Sequence, residues 1–280
     1  MFKEIIFCGY GKLGLECLKK LEKEGYQIKY ILTHLDNSED GVDTYALSKG
    51  YEYSYKDMRK HLDEFRHLFT EYKNTLLISI NYKFILSKEV LNLVGTAINI
   101  HGSLLPKYRG RTPHVWSIIN GEKNSGITCH LIDEGVDTGD IITQIEIPIL
   151  QEDTGYSLLK KFEEKYPEIL IKSLEKIKMK CNLIKQDETK ASYFGKRIPE
   201  MGYVDFSQPF IKIKNFIRAQ TKPYPGAYYF LPNGKKIIIY KVKETNEILI
   251  DEIGKIVEYD SRKFVGCVDK TIEIVEYDLD

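Results

Sequence analysis

Short apolar runs alternate with amphipathic stretches along the first half of the chain. Four of these runs have the length and composition of buried strands, and they cover residues 3–8, 28–33, 75–80 and 97–103. Between the first two runs, residues 11–25 place Leu13, Cys17, Leu18 and Leu21 on one helical face. Further helices are predicted over 57–73 and 87–94. Strands that alternate with helices indicate a doubly wound α/β domain with a mostly parallel sheet.

The second half of the chain begins with two more strand-like runs, at 127–133 and 141–149. An apolar stripe over 157–180 predicts one long helix or two, packed against the sheet. Residues 210–220 predict a short helix, and an Asn-Gly hairpin signal and further β-patterned runs follow it. We therefore expect a catalytic domain over 1–181, a polar linker over 182–204 and a small β-rich subdomain over 205–280.

Composition narrows the class of protein. Lys plus Arg and Asp plus Glu both total 41, so there is no overall positive charge for binding nucleic acid. The N-terminus is unlike a signal peptide, and no apolar run approaches the roughly 18 to 20 residues of a membrane span. The five cysteines are scattered without metal-ligand spacing, which favours buried free thiols in the cytoplasm and no metal site.

A dense group of polar and charged residues begins on the fourth predicted strand and continues beyond its end, where α/β folds place their sites. Asn99 and His101 are two positions apart, so on a strand their side chains point to the same side. They could stabilise a carbonyl oxygen that becomes an anion, or they could simply close a sheet edge. The loop that follows carries Lys107, Arg109 and Arg111, and these cations favour an anionic ligand.

An acidic loop at 133–140 joins the fifth and sixth predicted strands. Its spacing departs from that of an EF-hand and no helix pair flanks it, which disfavours a calcium site. A surface turn is one explanation of this loop. Alternatively, a carboxylate of the loop placed beside His101 would raise the imidazole pKa and orient the ring, as a catalytic proton donor requires.

The segment GYGKLG at 9–14 follows a strand and opens a helix, as a dinucleotide-binding GxGxxG motif does. The acidic residue expected near the end of the second strand is matched only loosely, by Asp36. Glycine-rich first turns also serve tight packing of a strand against a helix. An NAD-linked oxidoreductase is therefore an alternative that this motif leaves open.

Two motifs and their separation resemble the N10-formyltetrahydrofolate-dependent formyltransferases. The family pattern Asn-x-His-x-Ser-Leu-Leu-Pro-x-Tyr-Arg-Gly is matched here by NIHGSLLPKYRG, and its Asp-x-Gly by the sequence VDTGDII. Asp137 lies at the family's separation from His101, 36 positions further on. The resemblance extends to the region around RAQTKPYPGA and to the β-patterned tail, and so covers essentially the whole chain.

The resemblance implies a Rossmann-like catalytic domain without NAD, a β-rich OB-like subdomain at the C-terminus, and roles for individual residues. Asn99, His101 and Asp137 would be catalytic: protonated His101 and the Asn99 amide would stabilise the oxyanion formed when an amine attacks the formyl carbon. Asp137 would orient His101 and keep its pKa up. N10-formyltetrahydrofolate would be bound by Lys83, Phe84, Ile85, Arg111, Asp133, Glu134, Gly135 and Val136.

The family includes enzymes that formylate glycinamide ribonucleotide, methionyl-tRNA or nucleotide-linked amino sugars, and others that use water. The short acidic segment THLDNSEDG disfavours tRNA, and the long C-terminal part disfavours the purine enzyme. We expect no regulatory domain of the deformylase kind. The chain most resembles enzymes that act on UDP-4-amino-4-deoxyarabinose. We therefore predict a UDP- or dTDP-linked amino sugar as acceptor, and a role in glycan biosynthesis.

The acceptor would be bound by cations and aromatic residues, which we expect to be Lys107, Arg109, Lys196, Arg197, Arg218, Tyr224 and Tyr228. Arg109 could instead fix its loop, and surface charge or core packing could explain the others. A methionyl-tRNA formyltransferase and a non-catalytic folate-binding module are the remaining alternatives. Open edges in the β-rich tail make a homodimer plausible.

Overall fold

The computed structural model describes residues 4–36, 38–69, 74–246 and 248–279. The chain divides into two compact units. The first consists of Met1–Gly110, Gly126–Ile147 and Lys161–Tyr193. The second consists of Arg111–Ser125, Pro148–Lys160 and Phe194–Asp280. The chain therefore passes from one unit to the other several times before it reaches its β-rich C-terminal part.

Helices and strands follow one another in alternation through the first part of the chain. They are β1 (Glu4–Gly9), α1 (Gly11–Lys23), β2 (Ile28–Leu32), α2 (Val42–Lys49), β3 (Tyr53–Ser54), α3 (Leu62–Phe65), β4 (Thr75–Ile80), α4 (Lys88–Leu91), β5 (Thr96–His101) and β6 (Arg109–Gly110). Next come α5 (Pro113–Ile119), β7 (Asn124–Leu131), β8 (Ile141–Pro148), α6 (Gly155–Lys178) and β9 (Tyr193–Phe194). The last elements are α7 (Phe210–Ala219), β10 (Ala227–Phe230), β11 (Lys236–Thr245), β12 (Ile256–Tyr259), β13 (Arg262–Gly266) and β14 (Thr271–Leu279).

A seven-stranded sheet organises the first unit, in the order β3-β2-β1-β4-β5-β7-β8. The pairs from β3 to β5 are parallel, whereas β7 runs antiparallel to β5. One face of the sheet is covered by a core that includes Ile6, Leu77, Phe65 and Val90. The predicted α/β class with a largely parallel sheet is confirmed.

The GYGKLG segment forms a tight turn between β1 and α1. Gly11 has a φ of +61°, in the left-handed region that favours glycine. A Cβ at Gly14 would lie 3.1 Å from the backbone carbon of Gly9, so this glycine lets α1 pack closely on the end of β1. The glycines at 11 and 14 thus have a structural explanation that needs no dinucleotide.

Two predicted helices differ from those observed. In place of a helix over 57–73 there are α3 and a 3-10 turn at Arg66–Phe69, and 70–73 lie outside the described residues. Asp57 explains the late start, because its carboxylate accepts a hydrogen bond from the Arg59 backbone N–H and so favours a turn. The helix predicted over 87–94 is shortened to α4. Of the two possibilities for 157–180, one long helix is observed, α6, which has Pro167 inside it.

The second unit contains a five-stranded antiparallel sheet in the order β10-β11-β14-β13-β12. The apolar face of α7 shares a core with this sheet, in which Ile213 and Ile217 lie with Ile237 and Ile239. The unit also takes in α5, which packs on α7. None of the helices formed by the described residues is long and apolar enough to cross a membrane.

Candidate active site

The carboxyl end of β5 carries Asn99 and His101. Asn99 is paired across the sheet with His130 of β7, and His101 is paired with Thr128. Side chains two positions apart on a strand point to the same side, so Asn99 and His101 share one face of β5, and Thr128 and His130 share one face of β7. As a result the Asn99 amide nitrogen lies 3.1 Å from His130 Nε2.

Asp137 joins these residues from the loop between β7 and β8. One carboxylate oxygen, Oδ2, lies 3.5 Å from His101 Nδ1, and the other, Oδ1, lies 3.6 Å from His130 Nε2. Oδ2 also accepts a hydrogen bond of 2.9 Å from the backbone N–H of Gly110. The structure thus brings Asn99, His101 and Asp137 together, and it adds His130 to them.

The backbone of Asp137 has a φ of 57°, in the left-handed region. Aspartate visits this region more readily than most residues, but it does so at a cost that the surrounding structure must offset. The carboxylate can turn towards both histidines while its backbone holds this conformation. A strained backbone at the centre of a polar cluster is a feature of functional sites.

Burial dominates the pKa of His101, whose side chain is only 7% exposed. Burial lowers the imidazole pKa below its usual value, while Asp137 and the Tyr108 carbonyl oppose that effect. Asp137 thus raises this pKa as expected, but burial outweighs it and the net shift is downward. Because the Tyr108 carbonyl lies 2.7 Å from Nε2 and can only accept, Nε2 carries the proton of the neutral ring.

The pKa of Asp137 is set by opposing influences. Burial would raise the carboxyl pKa, but the nearby His101 and His130 rings and the Gly110 N–H together lower it to about 2. At neutral pH the site consequently holds an ionised carboxylate beside a largely neutral imidazole. A proton taken up by His101 would reside on Nδ1, which faces Asp137 Oδ2.

His130 was not predicted from the sequence. The only signal was the alternation of apolar Ile127 and Cys129 with polar Thr128 and His130, which shows that these polar side chains share one face of β7. The sequence does not reveal the register that pairs them with Asn99 and His101. Nδ1 of His130 donates to the Leu131 carbonyl at 2.6 Å, which fixes the ring.

The loop after β5 is tied to strands of the same unit. Thr128 Oγ1 donates to the Ser103 carbonyl at 2.6 Å and accepts from the Leu105 N–H at 3.2 Å. Gln144 of β8 donates to the Leu105 carbonyl at 2.9 Å. Lys107 is exposed on this loop, so its side chain is accessible from solution as a ligand-binding cation should be.

Arg109 is fully buried, and its guanidinium binds protein groups on several sides. Gln186 accepts from Nη2 at 2.7 Å, Glu188 accepts from Nη2 at 2.7 Å and from Nη1 at 2.9 Å, and the Tyr193 hydroxyl accepts from Nη1. The substrate-binding role expected of Arg109 does not fit this burial, and the contacts describe a residue that fixes its loop. Gln186 and Glu188 lie in the stretch predicted as a linker and were not foreseen.

The residues expected to bind folate in the first unit lie after β4 and after β7. The Lys83 backbone N–H donates to His34 Nε2 at 3.0 Å, so this peptide group is not free to pair with a pterin edge as expected. Ile85 and Val136 are 63% and 50% exposed, and a 2.6 Å ion pair between Lys88 and Glu134 links the two segments. Exposed apolar side chains beside peptide groups suit a flat, partly polar ring system.

Asp133 and Gly135 shape the second of these segments. The Gly135 N–H donates to the Asp133 carboxylate at 3.1 Å, and the Thr138 hydroxyl donates to the same oxygen at 2.5 Å. A Cβ at Gly135 would lie 2.0 Å from Thr138 Oγ1, which explains the need for glycine there. Asp133 therefore orders the loop that leads to Asp137.

The remaining predicted binding residues belong to the second unit. Lys196 and Arg111 are exposed, whereas Arg197 is half-buried over the Trp116 ring and donates to the Met201 carbonyl at 2.6 Å. Arg218 donates to Asn215 at 2.8 Å and to two backbone carbonyls, so most of its hydrogen bonds stay within the protein. These contacts disfavour the prediction that Arg218 binds the diphosphate of the acceptor.

The two tyrosines differ in their partners. The Tyr224 hydroxyl lies 3.1 Å from His114 Nε2, and burial lowers the pKa of that histidine to about 4. The Tyr228 hydroxyl donates to the Glu200 carbonyl at 3.2 Å, and Lys236 lies over its ring.

Within the part of the chain that the structure describes, no group of three or more acidic, histidine or cysteine side chains could hold a metal ion.

Comparison with known proteins identifies the family. A profile described as Formyl transferase matches residues 19–174, and one described as Formyl transferase, C-terminal domain, matches residues 197–280. The chain belongs to the formyl transferase family. It is therefore an enzyme, and its formyl donor is N10-formyltetrahydrofolate, as the resemblance of its motifs implied. The NAD-linked alternative is excluded.

Relatives of this chain within the formyl transferase family carry different names. A methionyl-tRNA formyltransferase of Caldanaerobacter subterraneus subsp. tengcongensis is 34% identical over 97% of this chain and 91% of its own length. The bifunctional polymyxin resistance protein ArnA of Wigglesworthia glossinidia brevipalpis is 36% identical over 98% of this chain, which spans 42% of ArnA. The family therefore does not by itself determine the acceptor.

A solved formyltransferase structure shares the fold. It is an N-formyltransferase from Helicobacter canadensis, in complex with folinic acid and dTDP-3-aminofucose, with a TM-score of 0.78 at 23% identity. The similarity covers 99% of this chain and 100% of that one. At this level of identity the similarity shows the fold alone.

Proposed function

We propose that this formyltransferase formylates the amine of a nucleotide-linked amino sugar. A carbon–nitrogen bond forms between the sugar amine and the formyl carbon, and the bond from that carbon to N10 of the folate breaks. One amine proton leaves the sugar nitrogen, and one proton is added at N10. The products are a sugar formamide and tetrahydrofolate, so atoms and charge balance.

The observation that carries this proposal is the charge of residues 30–48, which run from within β2 to the residue before the end of α2. No lysine or arginine occurs from residue 30 to residue 48, whereas Asp36, Glu39, Asp40 and Asp43 all lie there. A tRNA acceptor would bring a dense array of phosphates, which proteins bind with clustered cations. A nucleotide sugar carries only a diphosphate, which two or three cations can hold. The zero net charge supports the same choice.

The names of similar proteins support a nucleotide-linked amino sugar as acceptor, but one of them also suggests a second candidate acceptor. The Helicobacter canadensis enzyme is described with a dTDP-linked amino sugar, and it aligns along nearly its whole length. The Caldanaerobacter relative is a methionyl-tRNA formyltransferase at a similar coverage. Methionyl-tRNA is therefore the second candidate acceptor. We place the reaction in the cytoplasm.

Asn99, His101 and Asp137 would carry the chemistry. The Asn99 amide can donate a hydrogen bond to the carbonyl oxygen that gains negative charge as the amine attacks. The neutral imidazole of His101 can accept the proton that the amine loses, at Nδ1, where Asp137 stabilises the resulting positive charge. His130 would hold the Asn99 amide in place. Folate would lie against Phe84, Ile85 and the loop at 133–136.

Formyl transfer to a panel of acceptors tests the proposal. Tetrahydrofolate release from N10-formyltetrahydrofolate would be followed by absorbance with UDP-, dTDP- and GDP-linked amino sugars, and in parallel with charged methionyl-tRNA. We expect turnover with at least one sugar and none above background with tRNA. Turnover with tRNA and silence across the sugars would overturn the sugar proposal and favour the second candidate.

A further inference from the structure

Gln186 connects the Asp137 loop to the buried Arg109. Its amide nitrogen donates to the backbone carbonyls of Asp137 at 2.9 Å and Gly139 at 2.7 Å. Its amide oxygen accepts from Arg109 Nη2 at 2.7 Å and from Nε at 3.1 Å. All polar atoms of the Gln186 side chain are therefore used, and every partner belongs to the first unit.

The two carbonyls that Gln186 binds belong to a loop under conformational constraint. Asp137 holds a left-handed backbone, and a Cβ at Gly139 would lie 1.9 Å from the Leu131 carbonyl oxygen. One donor group that bonds both carbonyls fixes the curvature of the loop between them. The other side chains of the loop bond elsewhere, since the Thr138 hydroxyl donates to Asp133 and the Asp137 carboxylate is directed to the histidines and Gly110.

Arg109 provides a rigid anchor for the other end of the glutamine. Its side chain has no exposed area, and it is bound to Glu188 and Tyr193 as well as to Gln186. The residue that follows it, Gly110, donates directly to the Asp137 carboxylate. The segment 109–110 therefore holds Asp137 twice, at the carboxylate through a backbone N–H and at the backbone through Gln186.

We propose that Gln186 is a positioning residue that holds the Asp137 backbone so that its carboxylate faces His101 and His130. The inference rests on the role proposed for Asp137 in formyl transfer, but it does not depend on the identity of the acceptor. Gln186 acts through Asp137 and makes no contact with the reacting groups. Its loss should consequently affect the turnover step more than the binding of either substrate.

Two variants distinguish the hydrogen bonds that Gln186 makes to the Asp137 loop from those that it makes to Arg109. Gln186→Glu keeps an acceptor for Arg109 but replaces the donor to the loop with a carboxylate oxygen, which repels both carbonyls. Gln186→Met removes the contacts on both sides. Gln144→Met is the matched control, because Gln144 Nε2 also bonds two groups, the Leu105 carbonyl and Thr128 Oγ1, without touching the Asp137 loop.

Histidine ring NMR gives a readout that needs neither folate nor acceptor. Asp137 raises the pKa of His101. We therefore expect both Gln186 variants to titrate at lower pH than wild type, towards the value of Asp137→Asn, while Gln144→Met titrates as wild type does. With the acceptor found for the wild-type enzyme, kcat should fall about 10- to 100-fold at nearly unchanged KM, as for a misplaced catalytic group.

The outcomes are distinct. If both folded Gln186 variants keep the wild-type titration of His101, Gln186 does not position Asp137 and the inference is overturned. Failure of the sugar proposal appears instead as silence of the wild-type enzyme across the sugar panel, and the NMR comparison still stands. A Gln186→Met variant that does not fold leaves the Gln186→Glu titration to decide, because that variant retains the contact with Arg109.

Discussion

Asn99 and His130 face each other directly across the antiparallel pair β5 and β7, with the Asn99 amide nitrogen 3.1 Å from His130 Nε2. His130 Nδ1 donates to a backbone carbonyl, so in the neutral ring Nε2 is left to accept from the Asn99 amide. The histidine thereby determines which way the amide turns. This makes His130 part of the oxyanion-stabilising arrangement although it need not touch the substrate.

Replacement of His130 by leucine should therefore impair catalysis. Without the acceptor at Nε2 the Asn99 amide loses its orientation, and kcat should fall about 100-fold, as when one oxyanion donor is lost. Steady-state kinetics with the accepted sugar measures this effect. Thr143→Val is the control, because Thr143 Oγ1 is buried without a hydrogen-bond partner among the described residues. That variant should keep its kcat and melt no lower than wild type.

The pH dependence of kcat reports the protonation of His101. Burial lowers its pKa, so the neutral form that can accept a proton persists at neutral pH. We expect kcat to fall on the acid side, with a midpoint below about 6.5, the usual value for histidine. Asp137→Asn should move this midpoint to lower pH, since the carboxylate raises the imidazole pKa. A rate that instead falls as pH rises through this range would show that protonated His101 is the active form.

Acid stability follows from the pKa of Asp137. Its folded-state pKa is about 2, below the usual 3.8, so the stabilisation is complete above about pH 4 and is lost as pH falls towards 2. The urea midpoint of the wild-type protein should drop across this window. Asp137→Asn should flatten that drop, while the exposed Asp63→Asn should leave it unchanged.

Arg109→Lys should lower thermal stability. A lysine ammonium cannot reproduce the parallel bonds to Gln186 and Glu188, so part of the buried network is left unpaired. We expect the melting temperature to fall by several degrees, measured by calorimetry. Arg66→Lys is the matched control, because the exposed pair of Arg66 with Asp63 contributes little. Equal melting temperatures for the two variants would contradict the anchoring role of Arg109.

The strand pattern of the first unit and the motif residues Asn99 and His101 could be recognised from sequence because both are local. The apolar runs have the period and length of strands, and a spacing of two fixes a shared face. His130 was missed because its partner depends on strand register. The prediction of a helix over 57–73 was wrong because a local hydrogen bond from the Arg59 N–H to the Asp57 carboxylate competes with helical periodicity.

The contacts of Arg109 show a second limit of prediction from sequence. Its partners Gln186 and Glu188 lie 77 and 79 positions further along the chain, in a stretch that is polar and irregular. Nothing in the local pattern distinguishes a buried arginine with such partners from an exposed cation that binds phosphate. The pKa of His101 could not be foreseen either, because its net direction depends on how deeply the ring is buried.

The hydrogen bonds from Gln186 to the Asp137 loop also determine when the site can form during synthesis of the chain. A nascent polypeptide that has emerged as far as residue 150 already contains Asn99, His101, His130 and Asp137. It still lacks Gln186, whose amide bonds the Asp137 and Gly139 carbonyls, and Glu188, which with Gln186 accepts hydrogen bonds from Arg109. The carboxylate can therefore be locked in place only after α6 has been made and the segment beyond it has folded back. Maturation of the site is a late event in synthesis, although its chemical groups are all encoded early.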